Sequence, residues 1–484
     1  MQTSAAESLT VRRSIAAAVR AADAGAVALV DGATTVTYGG LCHRIDERID
    51  ELDLVDRSLV VLSGGNHLEF VVTYLALVDA GHVPLLAGSH VERLAAAWRP
   101  DAVVHAEPDG IAMSRRPAAD RVLHPDLALL LSTSGSTGSP KLVRLSTQNV
   151  TSNACAIAEY LGLGPADRAI TSLPLHYCYG LSVLHSHLAV GASIVLTEAS
   201  VVDPCFVAAM RDHGVTNVAG VPHTFELLDH AGPARIHVPT LRFVTQAGGR
   251  LPADRVRQWL DRAEAWGVDF FVMYGQTEAT ARIAYLPPHI ARRRPSAIGV
   301  PIPGGSLELD PVQGADPGVG ELVYRGANVM LGYATSQSDL GLGATLDELR
   351  TGDLGRYHAD DGVFEVVGRR SRFVKPFGVR VDLDIVEREL ARLHPDVAVA
   401  GDDERLVVVA PGADAAEVRS VVAQLTELPL ARVVVDVEAP IPRTASDKVD
   451  YAALLRNGGD EPTPVRTDSV AAMRDHGVTN VAGV

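Results

Sequence analysis

Short apolar runs alternating with amphipathic stretches constrain this chain more than any other feature. Ser58-Leu59-Val60-Val61-Leu62-Ser63 predicts a buried strand, Asn66 to Ala80 a helix closed by Gly81, and Val83-Pro84-Leu85-Leu86 the next strand. The same rhythm returns at Ala169–Leu173, Ala192–Thr197 and Leu241–Thr245. Strands buried on both faces and joined by helices form parallel sheets, so an α/β layered architecture is expected. From Leu307 to Tyr333 the runs shorten between Gly and Pro turns, predicting a small β-rich subdomain. A boundary falls near Val367–Arg372. Beyond it lie separate strands (Leu406–Ala410, Arg432–Asp436) and helices (Leu383–Leu393, Ala415–Leu425), the pattern of a small α+β domain. The expected organisation is a large N-terminal domain over 1–367, a hinge at 368–371, a small C-terminal domain over 372–455 and a disordered tail over 456–484.

Length agrees with that division, because 484 residues exceed one ordinary core. In the tail, residues 470–484 repeat residues 207–221 letter for letter. An old duplication would have diverged and a single pair makes no solenoid, so only the first copy is counted in the fold. A net charge of −16 with no basic patch argues against a nucleic-acid partner, and anionic ligands must be held by local donors. The four cysteines (Cys42, Cys155, Cys178, Cys205) lack metal or disulfide spacing and read as reduced thiols. Glu7, Arg12 and Arg13 leave no apolar signal core, and no apolar run reaches membrane-spanning length. A cytoplasmic protein with no membrane partner is expected.

Behind the predicted strand Leu127–Leu130 comes Leu131-Ser132-Thr133-Ser134-Gly135-Ser136-Thr137-Gly138-Ser139-Pro140-Lys141, in which eight of eleven residues are Gly, Ser or Thr. Small residues let backbone N–H groups approach an anion, hydroxyls add donors, and Lys141 adds charge. This is the chemistry of a triphosphate cradle. It is not a Walker A loop, which needs Gly before the Lys and Ser or Thr after it; Pro140 and Leu142 stand there instead.

Four further motifs follow in order: Met273-Tyr274-Gly275-Gln276-Thr277-Glu278-Ala279-Thr280, Arg350-Thr351-Gly352-Asp353-Leu354, Gly368-Arg369, and Pro442-Arg443-Thr444-Ala445-Ser446-Asp447-Lys448. With the Ser/Thr/Gly loop they resemble the adenylate-forming superfamily of acyl-CoA synthetases, peptide-synthetase adenylation domains and luciferases. The likeness runs from Thr37-Tyr38 to about Leu455.

That resemblance implies ATP-dependent activation of a carboxylic acid, with pyrophosphate released and the acyl group passed to a thiol. It assigns Thr133, Ser134, Gly135, Ser136, Thr137, Gly138 and Lys141 to the β- and γ-phosphates. Glu278 becomes the Mg²⁺ ligand, a hard carboxylate for a hard cation, and the Thr277 hydroxyl reaches the α-phosphate. Tyr274 flanks adenine beside the Gly248-Gly249 turn, and Gly275 faces the substrate. Asp353 accepts the ribose hydroxyls, Arg369 assists ribose and phosphate at the hinge, and Arg380 matches a later family Arg. Lys448 bridges the acid carboxylate and the α-phosphate from a mobile small domain. Two departures bear on the second half-reaction: Asp447 stands where the family usually has Gly, and Ser371 where Asp or Lys is commonest.

The acid pocket is read from Pro174-Leu175-His176-Tyr177-Cys178-Tyr179-Gly180, which resembles the acyl-CoA-synthetase form. It lacks the Asp that pairs with an α-amino group, which disfavours an ordinary α-amino acid. His176, Tyr177 and His223 (in Val221-Pro222-His223-Thr224-Phe225) read as pocket walls, with a core histidine the alternative for each imidazole. The acceptor is coenzyme A or the phosphopantetheine of a separate carrier protein. An amine acceptor, a nitrite-using diazotase and a degenerate ATP-binding protein are the rival readings.

Overall fold

The computed structural model describes residues 14–88, 90–117, 120–132, 141–313, 315–369, 372–374, 381–402, 405–426, 428–444 and 448–457. The strand Leu59–Gly64 is an interior strand of a seven-stranded sheet, and Leu59 through Leu62 are fully buried, each side chain stabilising the fold by about 2 kcal/mol. It pairs in parallel with Val83–Ala87 on one side and Ala102–Glu107 on the other. Leu127–Ser132 runs parallel to Val83–Ala87, and Leu142–Ser146 returns antiparallel beside it, with Ser132 opposite Leu142. Gly332–Ala334 adds the edge strand next to Leu142–Ser146.

The predicted helix after the first strand is Leu68–Asp79, two residues shorter at its start than its pattern. His67 caps it by accepting from the Phe70 amide, and Asn66 is used elsewhere. The Asn66 amide donates to the carbonyls of Leu173 and Thr197, and its oxygen accepts from Leu175 N. Asn66 thereby ties the first sheet to the loop that leads into His176.

A second sheet of thirteen strands carries the rest of the large unit. Its parallel half contains Val27–Asp31, Ser193–Leu196, Arg168–Ile170, Asn217–Gly220, Phe243–Gln246 and Asp269–Tyr274. Past Asp269–Tyr274 the pairing becomes antiparallel through Ala284–Leu286, Ala297–Pro301, Val363–Arg369, Leu349–His358, Val319–Gly326 and Gly305–Pro311. This half is the β-rich part predicted from Leu307 onward, joined edge to edge with the α/β layers.

The chain separates into two compact units after Ser371, and Arg443–Lys448 groups with the large one. In the small unit, Ala398–Gly401 pairs antiparallel with Leu406–Val409, which runs parallel to Val433–Asp436. Helices Leu383–Ala391 and Ala415–Thr426 bury Leu390, Val418 and Val422 in its core. Arg372 is stitched in by Glu387 at 2.9 Å, by Asp384, and by the Tyr451 ring 3.8 Å beneath it. The four cysteines are free thiols. Among the described residues no helix is long and apolar enough to cross a membrane. Residues 458–484, with the second copy of 207–221, lie outside the described residues.

Candidate active site

The strand Asp269–Tyr274 ends at the point where parallel pairing stops, and its exit turn is built tightly. A Cβ on Gly275 would overlap the Ala281 carbonyl oxygen, so only glycine fits between the strand end and the returning chain. Tyr274 donates its hydroxyl to Asp353 Oδ2. Gln276 Nε2 donates to the same oxygen at 2.9 Å and to the Thr351 carbonyl at 3.0 Å. Arg369, cross-strand from Asp353, donates from Nε to Oδ1 at 2.7 Å. Three side chains from two other motifs thus meet around the buried Asp353 carboxylate, which is 2% exposed. Burial, and then the Asp353 charge, push the Tyr274 phenol well above its usual range, so it stays a donor. Both Asp353 oxygens already accept protein donors, leaving spare lone pairs rather than an empty carboxylate for any ligand hydroxyl.

A second group forms around Tyr333 on the edge strand Gly332–Ala334. Its hydroxyl donates to Glu278 Oε1 at 2.7 Å, and the Lys141 ammonium lies 3.2 Å over its ring centroid. The Met330 amide holds the Glu278 carbonyl at 2.9 Å. One tyrosine therefore gathers the Lys and the Glu of two motifs. Residues 133–138 of the Ser/Thr/Gly loop lie outside the described residues, as does Arg380.

The third group lies along the stretch Pro174–Gly180. Thr277 Oγ1 donates to Cys178 Sγ at 3.4 Å. Gly248, at φ +82°, backs onto Tyr177, whose hydroxyl would stand 2.7 Å from a Cβ there, and Gly249 backs onto Pro222. His176 lines a cavity of about 350 Å³ with Gly64–Asn66, Thr171–Pro174 and Thr197–Ser200, and burial lowers its pKa, keeping the ring neutral. His223 behaves differently: it is exposed on the helix Pro222–Ala231, with Nδ1 3.3 Å from Glu226 Oε2, so the core-histidine alternative does not hold for it.

Lys448 is exposed, and its segment groups with the large unit. Crowding around the ammonium lowers its pKa, while Cys178, Glu278 and Asp353 act in the opposite direction. Among the described residues no three His, Cys, Asp or Glu side chains gather into a metal cage. Glu278 alone, with Oε1 taken by Tyr333, suits one ligand position of a hard cation carried in by phosphate oxygens.

The sequence profile of AMP-binding enzymes matches residues 87–334, just over half of the chain. This chain belongs to the AMP-binding enzyme family. It is 33% identical over 279 residues to sulfoacetate–CoA ligase of Cupriavidus necator, covering 56% of this chain and 53% of that protein. To L-proline–[L-prolyl-carrier protein] ligase of Pseudomonas fluorescens it is 30% identical over 352 residues, 68% of each chain. Its fold is that of o-succinylbenzoate coenzyme A synthetase from Bacillus subtilis solved with ATP and magnesium. The TM-score is 0.73 at 21% identity, over 91% of this chain and 99% of that one. The chain spans about half the length of the curated relatives it matches first.

Within this AMP-binding enzyme, two side chains of these groups carry no motif role of their own. Gln276 lies inside a recognised motif that assigns it no role, yet its amide donates to Asp353 and to the Thr351 carbonyl. Tyr333 lies 55 residues beyond Glu278 and carries no local signal.

Proposed function

We propose that this protein activates a carboxylic acid with ATP and then passes the acyl group to a thiol. The observation that carries the reading is the pair of constellations, Lys141–Tyr333–Glu278 and Tyr274–Gln276–Asp353–Arg369, inside and beside the AMP-binding segment. A carboxylate oxygen attacks the α-phosphorus, and the bond to the pyrophosphate oxygen breaks. The products are an acyl-adenylate and pyrophosphate. Two anions must approach each other, so cations and donors at fixed places supply the rate.

In this reading Lys141 and residues 133–138 hold the β- and γ-phosphates, and Thr277 offers its hydroxyl to the α-phosphate. Asp353, held by Arg369 and its two other side-chain donors, accepts a ribose hydroxyl; Arg380 is placed nearby by resemblance alone. Tyr274, with Gly248 and Gly249, borders the base. Gly275, His176, Tyr177 and His223 border the acid. Glu278 would hold a Mg²⁺ ion, which would supply charge neutralisation for the phosphates. Lys448 meets the carboxylate and α-phosphate as charge builds.

The acceptor is coenzyme A or a carrier-protein phosphopantetheine in trans. The relatives named for coenzyme A and for a prolyl-carrier protein support both. Boundaries at 367, 371 and 455 are proposed for the large domain, hinge and small domain, and the free thiols fit a cytoplasmic setting. Pyrophosphate release across a panel of acids, with the acyl-adenylate identified by mass, tests the reading. If no acid elicits release while ATP binds, the protein is a binder rather than a ligase.

A further inference from the structure

Arg144 is fully buried on the strand Leu142–Ser146, three residues after Lys141. Among the described residues its guanidinium pairs with no carboxylate and is met by four carbonyl oxygens. Nε donates to Tyr333 at 3.2 Å, Nη2 to Leu331 at 3.2 Å, and Nη1 to Gly343 at 3.2 Å and to Leu342. A guanidinium does not lose its proton to escape burial, so a charge placed here is costly unless its planar fork is well used. Two of the acceptors stand on either side of Gly332. The other two belong to the loop that follows Gln337–Gly341.

This placement bears on one side chain, Tyr333. Its strand Gly332–Ala334 is three residues long, lies at the edge of the seven-stranded sheet and pairs on one side only. Gly332 stands opposite Arg144, and Tyr333 opposite Val143. An edge strand this short opens readily unless something outside the ladder holds it. Alternation along the strands puts the Tyr333 side chain on the Val143 face and Arg144 on the other, so the guanidinium grips the strand from behind. It lies so close that a Cβ on Gly332, which has φ +131°, would stand 2.9 Å from Nη2 and 2.2 Å from Thr345 Oγ1. Thr345 adds a second hold, its amide at 2.8 Å and its hydroxyl at 3.0 Å from the Leu331 carbonyl. On the front face Tyr333 donates to Glu278 and lies under Lys141. A charged clamp therefore stands behind the backbone of the residue that joins these two.

We infer that Arg144 is a positioning residue of the ATP site. By holding the carbonyls of Leu331 and Tyr333 it fixes the strand that carries the tyrosine, and through the tyrosine the places of Lys141 and Glu278. The inference rests on the acid-activation reading, which gives Lys141 and Glu278 their phosphate and metal roles. Lysine at 144 would keep the charge but not the fork, because an ammonium is a compact donor on a flexible stem. Methionine would fill the space and leave four carbonyls without their donor.

The test is a double-mutant cycle on the intact chain between Arg144→Met and Tyr333→Leu. Calorimetry of ATP binding with and without Mg²⁺ is one readout, and hydrogen exchange of the ligand-free protein is the other. Arg144→Met should speed exchange at Gly332–Ala334. It should also weaken ATP and raise the Mg²⁺ requirement by about fivefold each, the scale of one lost hydrogen bond. In the Tyr333→Leu background the same substitution should still speed exchange but move ATP and Mg²⁺ by less than about twofold, because the residue it acts through is gone. Arg144→Lys should fall between wild type and Arg144→Met. Equal shifts in both backgrounds, or a lowered melting temperature with ATP and Mg²⁺ binding unchanged, overturns the inference and leaves acid activation standing. If Tyr333→Leu and Glu278→Gln themselves bind ATP and Mg²⁺ as the wild type does, the phosphate and metal roles fall and the inference falls with them. If Arg144→Met does not fold, Arg144→Lys in the two backgrounds decides by the same comparison.

Discussion

One oxygen of Glu278 holds the Tyr333 hydroxyl, and the Tyr333 ring lies under Lys141, so three side chains share one electrostatic unit. Glu278→Gln keeps the shape and removes the charge. Calorimetry of ATP binding should show the Mg²⁺ requirement moving about tenfold upward, ~1.4 kcal/mol, with folding intact. An unchanged metal dependence would remove Glu278 from the ligand role. Tyr333→Phe and Tyr333→Leu divide the unit further. The first removes one hydrogen bond, worth about 1 kcal/mol, and should disturb only the metal dependence. The second also removes the ring beneath Lys141, worth roughly 0.5–2 kcal/mol, and should weaken ATP itself. Identical ATP and Mg²⁺ binding in both variants would show that the tyrosine only fills space. At this scale the sequence told which residue types to look for and not what connects them. Lys141, Glu278 and Asp353 stand in motifs with recognisable chemistry. Tyr333 is joined to them by sheet pairing across the chain, which no local pattern records.

The helix Cys178–Leu188 carries the proposed acid-binding stretch at its start and two buried histidines at its end. Tyr74 donates its hydroxyl to His185 Nε2 at 2.8 Å and stacks on its ring, while Asn217 donates to His187 Nε2 at 3.0 Å and the Val183 carbonyl accepts from Nδ1. Burial lowers His185 to about 3 and His187 to about 4. In the unfolded chain both take up protons near pH 6.5. Between that pH and about 4 the unfolded state binds more protons than the folded state, so stability is present above 6.5 and lost as pH falls through this window. Urea midpoints should drop steadily from pH 7 to 4.5. The double variant His185→Phe, His187→Leu should start less stable at pH 7 and show a flatter slope. A slope equal to the wild type would place the acid sensitivity elsewhere. Elements as such were legible, since Leu59–Gly64, Val83–Ala87, Leu406–Val409 and Ala415–Thr426 appear where hydrophobic runs predict them. Their ends were less so. Ala169–Leu173 reads as one strand but pairs only over Arg168–Ile170, because the Thr171 hydroxyl turns to the Thr197 carbonyl and starts the loop toward His176.

At the scale of the whole chain, each unit closes its own core, and the segment bearing Lys448 is rooted in the small unit at both ends. Asp450 N donates to the Pro442 carbonyl at 2.8 Å, closing the base of the excursion, and Thr444 and Lys448 bond to each other within it. Leu390 is fully buried in the small core among Val386, Val418 and Val422. Leu390→Ala removes most of that side chain and leaves a cavity, a loss of about 2–5 kcal/mol. Because the two cores are separate, that loss falls on the small unit and leaves the large sheets untouched. Calorimetry should show one transition displaced to lower temperature and a second unmoved. Just above the displaced transition, Lys448 loses its anchor while Lys141, Glu278 and Asp353 keep theirs. Acid-dependent pyrophosphate release should therefore collapse in a temperature range where ATP still binds with wild-type affinity. If ATP binding and pyrophosphate release disappear together at one temperature, the two units fold as one, and the small core cannot be what positions Lys448.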